Sequence, residues 1–197
     1  MQAFTTLTSV AAPLPIANLD TDRLIPARFL RLPRSAGYQN YLFHDLREQG
    51  DFILDRPAYK GARIIVGAEN FGCGSSREAA VWALAGAGFR AWIAPSFGDI
   101  FFENSFRNGT LPIVLPADRV AALRTLLTDQ AGAQLSIDLA AQTVTLPDAS
   151  QERFEVDPFR KECLLNGWDE IDLTMQHAQA IADFETRQRA GSPWLVG

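Results

Sequence analysis

The sequence predicts an α/β domain. A β-branched run, Ile64-Ile65-Val66, leads into a turn containing Gly72 and Gly74. An alanine-rich segment follows, with helical spacing at Ala80, Val81, Leu84 and Ala87-Gly88. The same alternation continues with expected strands at 89–94 and 111–115 and expected helices at 97–108 and 117–130. Such alternation points to helices packed on a sheet with some parallel strands. With 197 residues, 47% of them hydrophobic and 21% charged, one good core is expected and a single domain over 1–197.

Taken in order, residues 4–10 alternate as a strand, and 11–16, with two prolines, form a loop. Asn18-Leu19-Asp20-Thr21-Asp22 has the make-up of a turn or a helix cap. Arg28, Arg31 and Arg34 surround Pro33, and most of them are expected as solvated surface. Residues 38–48 are expected as one short amphipathic helix with Tyr41, Leu42 and Leu46 inward and His44 half-buried. In the 97–108 helix, Phe97, Ile100, Phe101 and Phe106 form a core stripe, and Gly109 ends it. Segments 135–139 and 142–146 read as a hairpin, with a further strand at 153–156 and a helix at 158–165. A last helix spans 174–189, with His177 packing in its first turn.

Composition excludes several functions. A net charge of −5 argues against nucleic acid or an acidic membrane surface as the main partner. Two cysteines, Cys73 and Cys163, make no disulfide framework and suit a reducing cytosol. With only two histidines besides, no zinc spacing is present, and a cubane iron–sulfur cluster needs more thiolates. No signal peptide and no membrane-length apolar run is seen.

Chemistry concentrates at Gly72-Cys73-Gly74-Ser75-Ser76-Arg77-Glu78. A capping box from Ser75 to Glu78 is the plain structural account. It leaves the second serine, the glycines and an arginine near the positive end of a helix dipole unexplained, and an anion would account for that arginine. The segment lacks the third glycine of a dinucleotide fingerprint, the lysine of a P-loop and the elbow of a serine hydrolase. What remains is a site that binds carboxylates, with Arg77 as a bidentate partner, and moves a proton with serine.

Asn70-Phe71-Gly72-Cys73-Gly74-Ser75-Ser76-Arg77-Glu78 resembles the signature of the 3-isopropylmalate dehydratase small-subunit family, the detached swivelling domain of the aconitase superfamily. The stretch Asn18 to Asp22 with Ile25-Pro26 and Phe29-Leu30 is similar to the family's N-terminal pattern. So are Pro95-Ser96-Phe97-Gly98-Asp99-Ile100-Phe101, Asn108-Gly109-Thr110-Leu111-Pro112 and the C-terminal Asn166-Gly167 to Gln176-His177, so the resemblance runs through nearly the whole chain.

The resemblance implies a swivelling β/β/α domain and a hydro-lyase. Ser75 would be the general base, with Asp22 and Arg77 in the active site; Ser76, Arg34 and Thr21 would bind substrate. The chain would bind no cofactor itself. A separate large subunit would carry a 4Fe-4S cluster acting as Lewis acid, and the substrate would be a small hydroxy-dicarboxylate. The pair would work in the cytoplasm, in leucine biosynthesis. The family usually has histidine where this chain has Ala79, and often proline in place of Val81. A related hydro-lyase acting on citraconate, methylmalate or dimethylmaleate, and a non-catalytic binding subunit, are the alternatives.

Overall fold

The structure, a computed structural model, describes residues 1–74, 77–192 and 194. The chain divides into two compact units, Met1–Gly167 and Trp168–Gly197. The strands are β1 (Thr6–Pro13), β2 (Ile64–Val66), β3 (Ala91–Ala94), β4 (Leu111–Val114), β5 (Gln134–Asp138), β6 (Thr143–Thr145) and β7 (Gln151–Arg153). Among the described residues they form one sheet in the order β4-β3-β2-β1-β5-β6-β7. The strands from β4 to β1 are parallel, and β5, β6 and β7 continue the sheet antiparallel.

β1 is the seam. Its first half pairs with β5 and its last three residues with β2. The strand therefore runs to Pro13, beyond the expected 4–10, because a proline at the strand's end leaves the next amide, Leu14 N–H, to donate to Val66 O at 2.8 Å. Pro112 is tolerated for a related reason, since β4 is the edge strand.

The central strands are buried on both faces, which is why they read as unbroken apolar runs. Ala12, Ile65, Trp92 and Ala94 face a core with Leu19, Leu24, Phe43, Phe71, Val81, Leu84 and Phe101. Ala11, Ile64, Val66, Ala91 and Ile93 face the other core, with Val120, Leu123, Leu127, Leu135 and Ile137. α3 (Glu78–Gly86) supplies the first core, while α5 (Ala117–Asp129) and part of α6 (Pro158–Asn166) supply the second.

Trp92 is fully buried, and its indole N–H donates to Ser105 Oγ at 3.1 Å; that hydroxyl in turn donates to Phe101 O at 2.7 Å. Ser105 lies on α4 (Asp99–Arg107), so the pair pins this helix to the sheet. Ser105→Ala would leave a buried donor unmatched. It is expected to lower stability by about 1–3 kcal/mol, read by urea unfolding.

Several local expectations are corrected. The 38–48 helix is broken: Tyr38–Tyr41 is a 3-10 turn and α2 covers only His44–Glu48. Between them Phe43 is buried at φ 57°, and its N–H donates to Leu24 O at 2.8 Å, in α1 (Thr21–Leu24), instead of to a helical carbonyl. Ile100 is 47% exposed, because α4 starts at Asp99 and turns only Phe101 and Phe106 of the expected stripe fully inward. The last strand, β7, ends at Arg153 where 153–156 was expected.

In the second unit the expected 174–189 helix is two helices, α7 (Glu170–Met175) and α8 (Ala178–Gly191). An Asp169–Asp172 capping box opens α7. His177 is the exposed N-cap of α8 and does not pack. No described helix is long and apolar enough to cross a membrane.

Candidate active site

Because β1, β2 and β3 are parallel, the loops after them leave the same edge of the sheet, where ligands of open α/β sheets commonly bind. The three loops are laced together by main-chain bonds. Gly72 N–H donates to Leu19 O at 2.7 Å, and Thr21 N–H donates to Cys73 O at 3.0 Å. On the other side, Phe71 N–H donates to Ser96 O at 3.0 Å, and Gly98 N–H to Phe71 O at 2.9 Å. Asn70, at φ 56°, joins both neighbours: its amide N–H donates to Ser96 Oγ and its side chain to Asn18 Oδ1, each at 2.8 Å.

The close lacing explains the glycines. At Gly72 (φ 72°) a Cβ would lie 2.2 Å from the Phe101 ring. Gly74 has φ 88°, a conformation that L side chains rarely adopt. The loop delivers the chain to α3 at Glu78, later than the expected start near Ser75. Arg77 is thus the N-cap, in extended conformation, and does not lie in the first turn. Ala79 falls inside the first turn and is buried. Among the described residues no side chain caps α3, and Glu78 accepts from Asn108 Nδ2 at 2.8 Å.

Asp20 caps α1 by accepting from Arg23 N–H at 2.8 Å, which fulfils the helix-cap expectation for this segment. The cap aims Asp22 at Arg77, and the two form an ion pair. Arg77 is mostly covered, with a side chain 20% exposed, whereas that of Asp22 is 51% exposed. Asp22 also accepts from Ala27 N–H at 3.1 Å. The Arg77 hydrogen bond, opposed by slight burial, holds the Asp22 carboxyl below its ordinary range.

Of the expected site residues, Asp22, Thr21 and Arg77 are brought together around the glycine loop. Thr21 is only 2% exposed and meets the loop through its amide, so it braces the loop from below. Arg34 is exposed and lies over the Trp82 ring of α3, with Cζ 4.2 Å from the ring centroid. Ser75 and Ser76 lie outside the described residues.

Three comparisons with known proteins bear on this geometry. Residues 1–118 match the aconitase C-terminal domain, 121–158 a LeuD_N segment, and 170–197 the C-terminal domain of the 3-isopropylmalate dehydratase small subunit. The chain is 50% identical over 203 residues to the 3-isopropylmalate dehydratase small subunit of Rhodospirillum centenum, covering 100% of both chains. It is 51% identical over 201 residues to that of Paramagnetospirillum magneticum, covering 99% of this chain and 100% of the relative. The chain belongs to the 3-isopropylmalate dehydratase small-subunit family. A crystal structure titled 3-isopropylmalate dehydratase, from Methanocaldococcus jannaschii, superposes with a TM-score of 0.69 at 25% identity, covering 90% of this chain and 98% of that one. The aconitase-type fold expected from the sequence is the fold found.

A 4Fe-4S cluster takes three or four thiolates, and this chain has two cysteines. Burial pushes both thiols up, away from the thiolate form. The chain's residues do not fit such a group.

Asp22 sets a pH test. Its depressed folded value means the pair stabilises the fold above the ordinary aspartate range, and that contribution is lost as pH falls through the lower folded value. Asp22→Asn is expected to cost no more than about 1 kcal/mol at neutral pH, because the carboxylate is half exposed. The difference from wild type should vanish in acid, as followed by urea unfolding across pH.

Sequence reasoning gave no role to Gly98, Trp82 or Asn108. Two of them stood in motifs at 95–101 and 108–112 that matched the family without a stated chemistry.

Proposed function

We propose that this chain is the small subunit of a 3-isopropylmalate dehydratase, isomerising 2-isopropylmalate to 3-isopropylmalate by dehydration and rehydration in leucine biosynthesis. Full-length identity of about half to curated small subunits carries this reading. The laced loops around Arg77 and Asp22 support it. The whole chain acts as one swivelling module on a separate large subunit in the cytoplasm. The 4Fe-4S cluster belongs to that partner, since the donors here do not suit it.

In this chain's share of the reaction, Ser75 takes the proton α to a substrate carboxylate. A serine hydroxyl is a poor base unless its oxyanion is stabilised, and the positive end of α3 together with Arg77 supplies that field. Arg77 and Arg34 hold the two substrate carboxylates, and Ser76 adds a hydroxyl. To bind, Arg77 exchanges the Asp22 carboxylate for the substrate's. Asp22 until then keeps the guanidinium paired.

Reconstitution with the large subunit tests the reading. Alkene absorbance should develop with 2-isopropylmalate at a kcat/KM well above that with methylmalate or hydrated dimethylmaleate. A higher kcat/KM for either competitor would overturn the substrate assignment.

A further inference from the structure

We infer that Trp82 is a positioning residue that presents Arg34 to the substrate, an inference that rests on the proposed dehydratase reading. Arg34 stands on a closed loop: Tyr38 hydroxyl donates to Leu32 O at 3.0 Å and so ties the two ends together across Arg34. The Tyr38 ring stacks near the Trp82 indole, with centroids 6.2 Å apart and planes at 17°. From this loop Arg34 reaches back over the same indole, at 4.2 Å. Among the described residues Arg34 has no carboxylate partner, in contrast to Arg77, which is paired with Asp22.

The platform is itself fixed. Trp82 Nε1 donates to Asn108 Oδ1 at 3.0 Å. The amide nitrogen of Asn108 donates to Asn104 O and to Glu78 Oε1, each at 2.8 Å. Trp82 stands one turn after Glu78 on α3, so both arginines are referred to one rigid helix: Arg77 at its N-cap, and Arg34 through the indole face. A cavity of about 210 Å³, lined by Arg34, Tyr38, Trp82 and Asn108 among others, opens beside the guanidinium. A cation resting on a ring keeps its N–H edge free for a carboxylate, whereas an ion pair would occupy that edge. The apolar face thus holds the arginine in place without competing for its ligand.

The test uses the reconstituted two-subunit enzyme with 2-isopropylmalate and the variants Trp82→Leu, Trp82→Phe, Arg34→Ala and Arg34→Ala/Trp82→Leu. Trp82→Leu should raise KM about three- to tenfold with kcat within about twofold, the effect of a lost exposed cation–π contact on binding. Trp82→Phe, which keeps a ring face, should recover most of it. The double variant should be no worse than Arg34→Ala alone, because the indole acts through the arginine. Additive losses, or an unchanged KM in Trp82→Leu, would overturn the inference. In the isolated chain, the Arg34 side-chain protons should show an upfield ring-current shift that Trp82→Leu abolishes. That readout stands even if the wild-type complex fails to turn over 2-isopropylmalate, which would instead overturn the dehydratase reading.

Discussion

Ser75→Ala is expected to lower kcat of the reconstituted enzyme by about 10³-fold, within the 10²–10⁴-fold that a positioned acid–base group contributes. The expectation follows from what flanks the position. On one side is Gly74, at φ 88°, and on the other Arg77 stands at the N-cap of α3 with its side chain held by Asp22. In the proposed mechanism Ser75 is the base, and methyl in its place removes it while leaving Arg77 and the positive end of α3. KM should change little, since the substrate grips proposed for Arg77 and Arg34 are left in place. The check is steady-state turnover of 2-isopropylmalate beside the melting temperature of the isolated variant, which should be unchanged.

The second large effect is Gly98→Ala. Gly98 has an ordinary backbone, φ −65° and ψ 133°, so its requirement is one of space. A Cβ there would lie 2.6 Å from Gly72 O and 2.9 Å from Cys73 Cα, both main-chain atoms that cannot swing aside. The glycine loop must move, at an expected cost of about 1–3 kcal/mol of stability. A displacement of that kind at a reacting site is expected to cost about 10²-fold in kcat/KM. Gly191→Ala, where an added Cβ meets nothing within 4 Å, serves as the control and should leave both quantities near wild type. Urea unfolding and turnover together separate loop displacement from simple loss of fold.

The sequence was legible where the signal is local. Ile64 to Val66, the glycines that follow and the alanine-rich helix show their structure through periodicity and small side chains, and these carry the site. The hairpin of β5 and β6 was legible for the same reason. What escaped depends on partners remote in the chain. Phe43 breaks its helix because its amide finds Leu24 O, and Glu78 turns from a capping role to Asn108. Gly98 looks like any residue by its own dihedrals, and only the approach of Gly72 gives it meaning. Arg34 is exposed as its loop sequence suggests, but the loop closure by Tyr38 and the Trp82 face beneath it leave no local signal.

In the proposed complex this chain lends a proton acceptor and carboxylate grips to chemistry completed by a second polypeptide. The most direct test is to titrate this chain into a fixed amount of the cluster-bearing large subunit and follow 2-isopropylmalate turnover. Activity should be absent from either component alone, rise with added chain and saturate at equimolar amounts. Full activity of the large subunit without this chain, or saturation unaffected by Ser75→Ala, would contradict it.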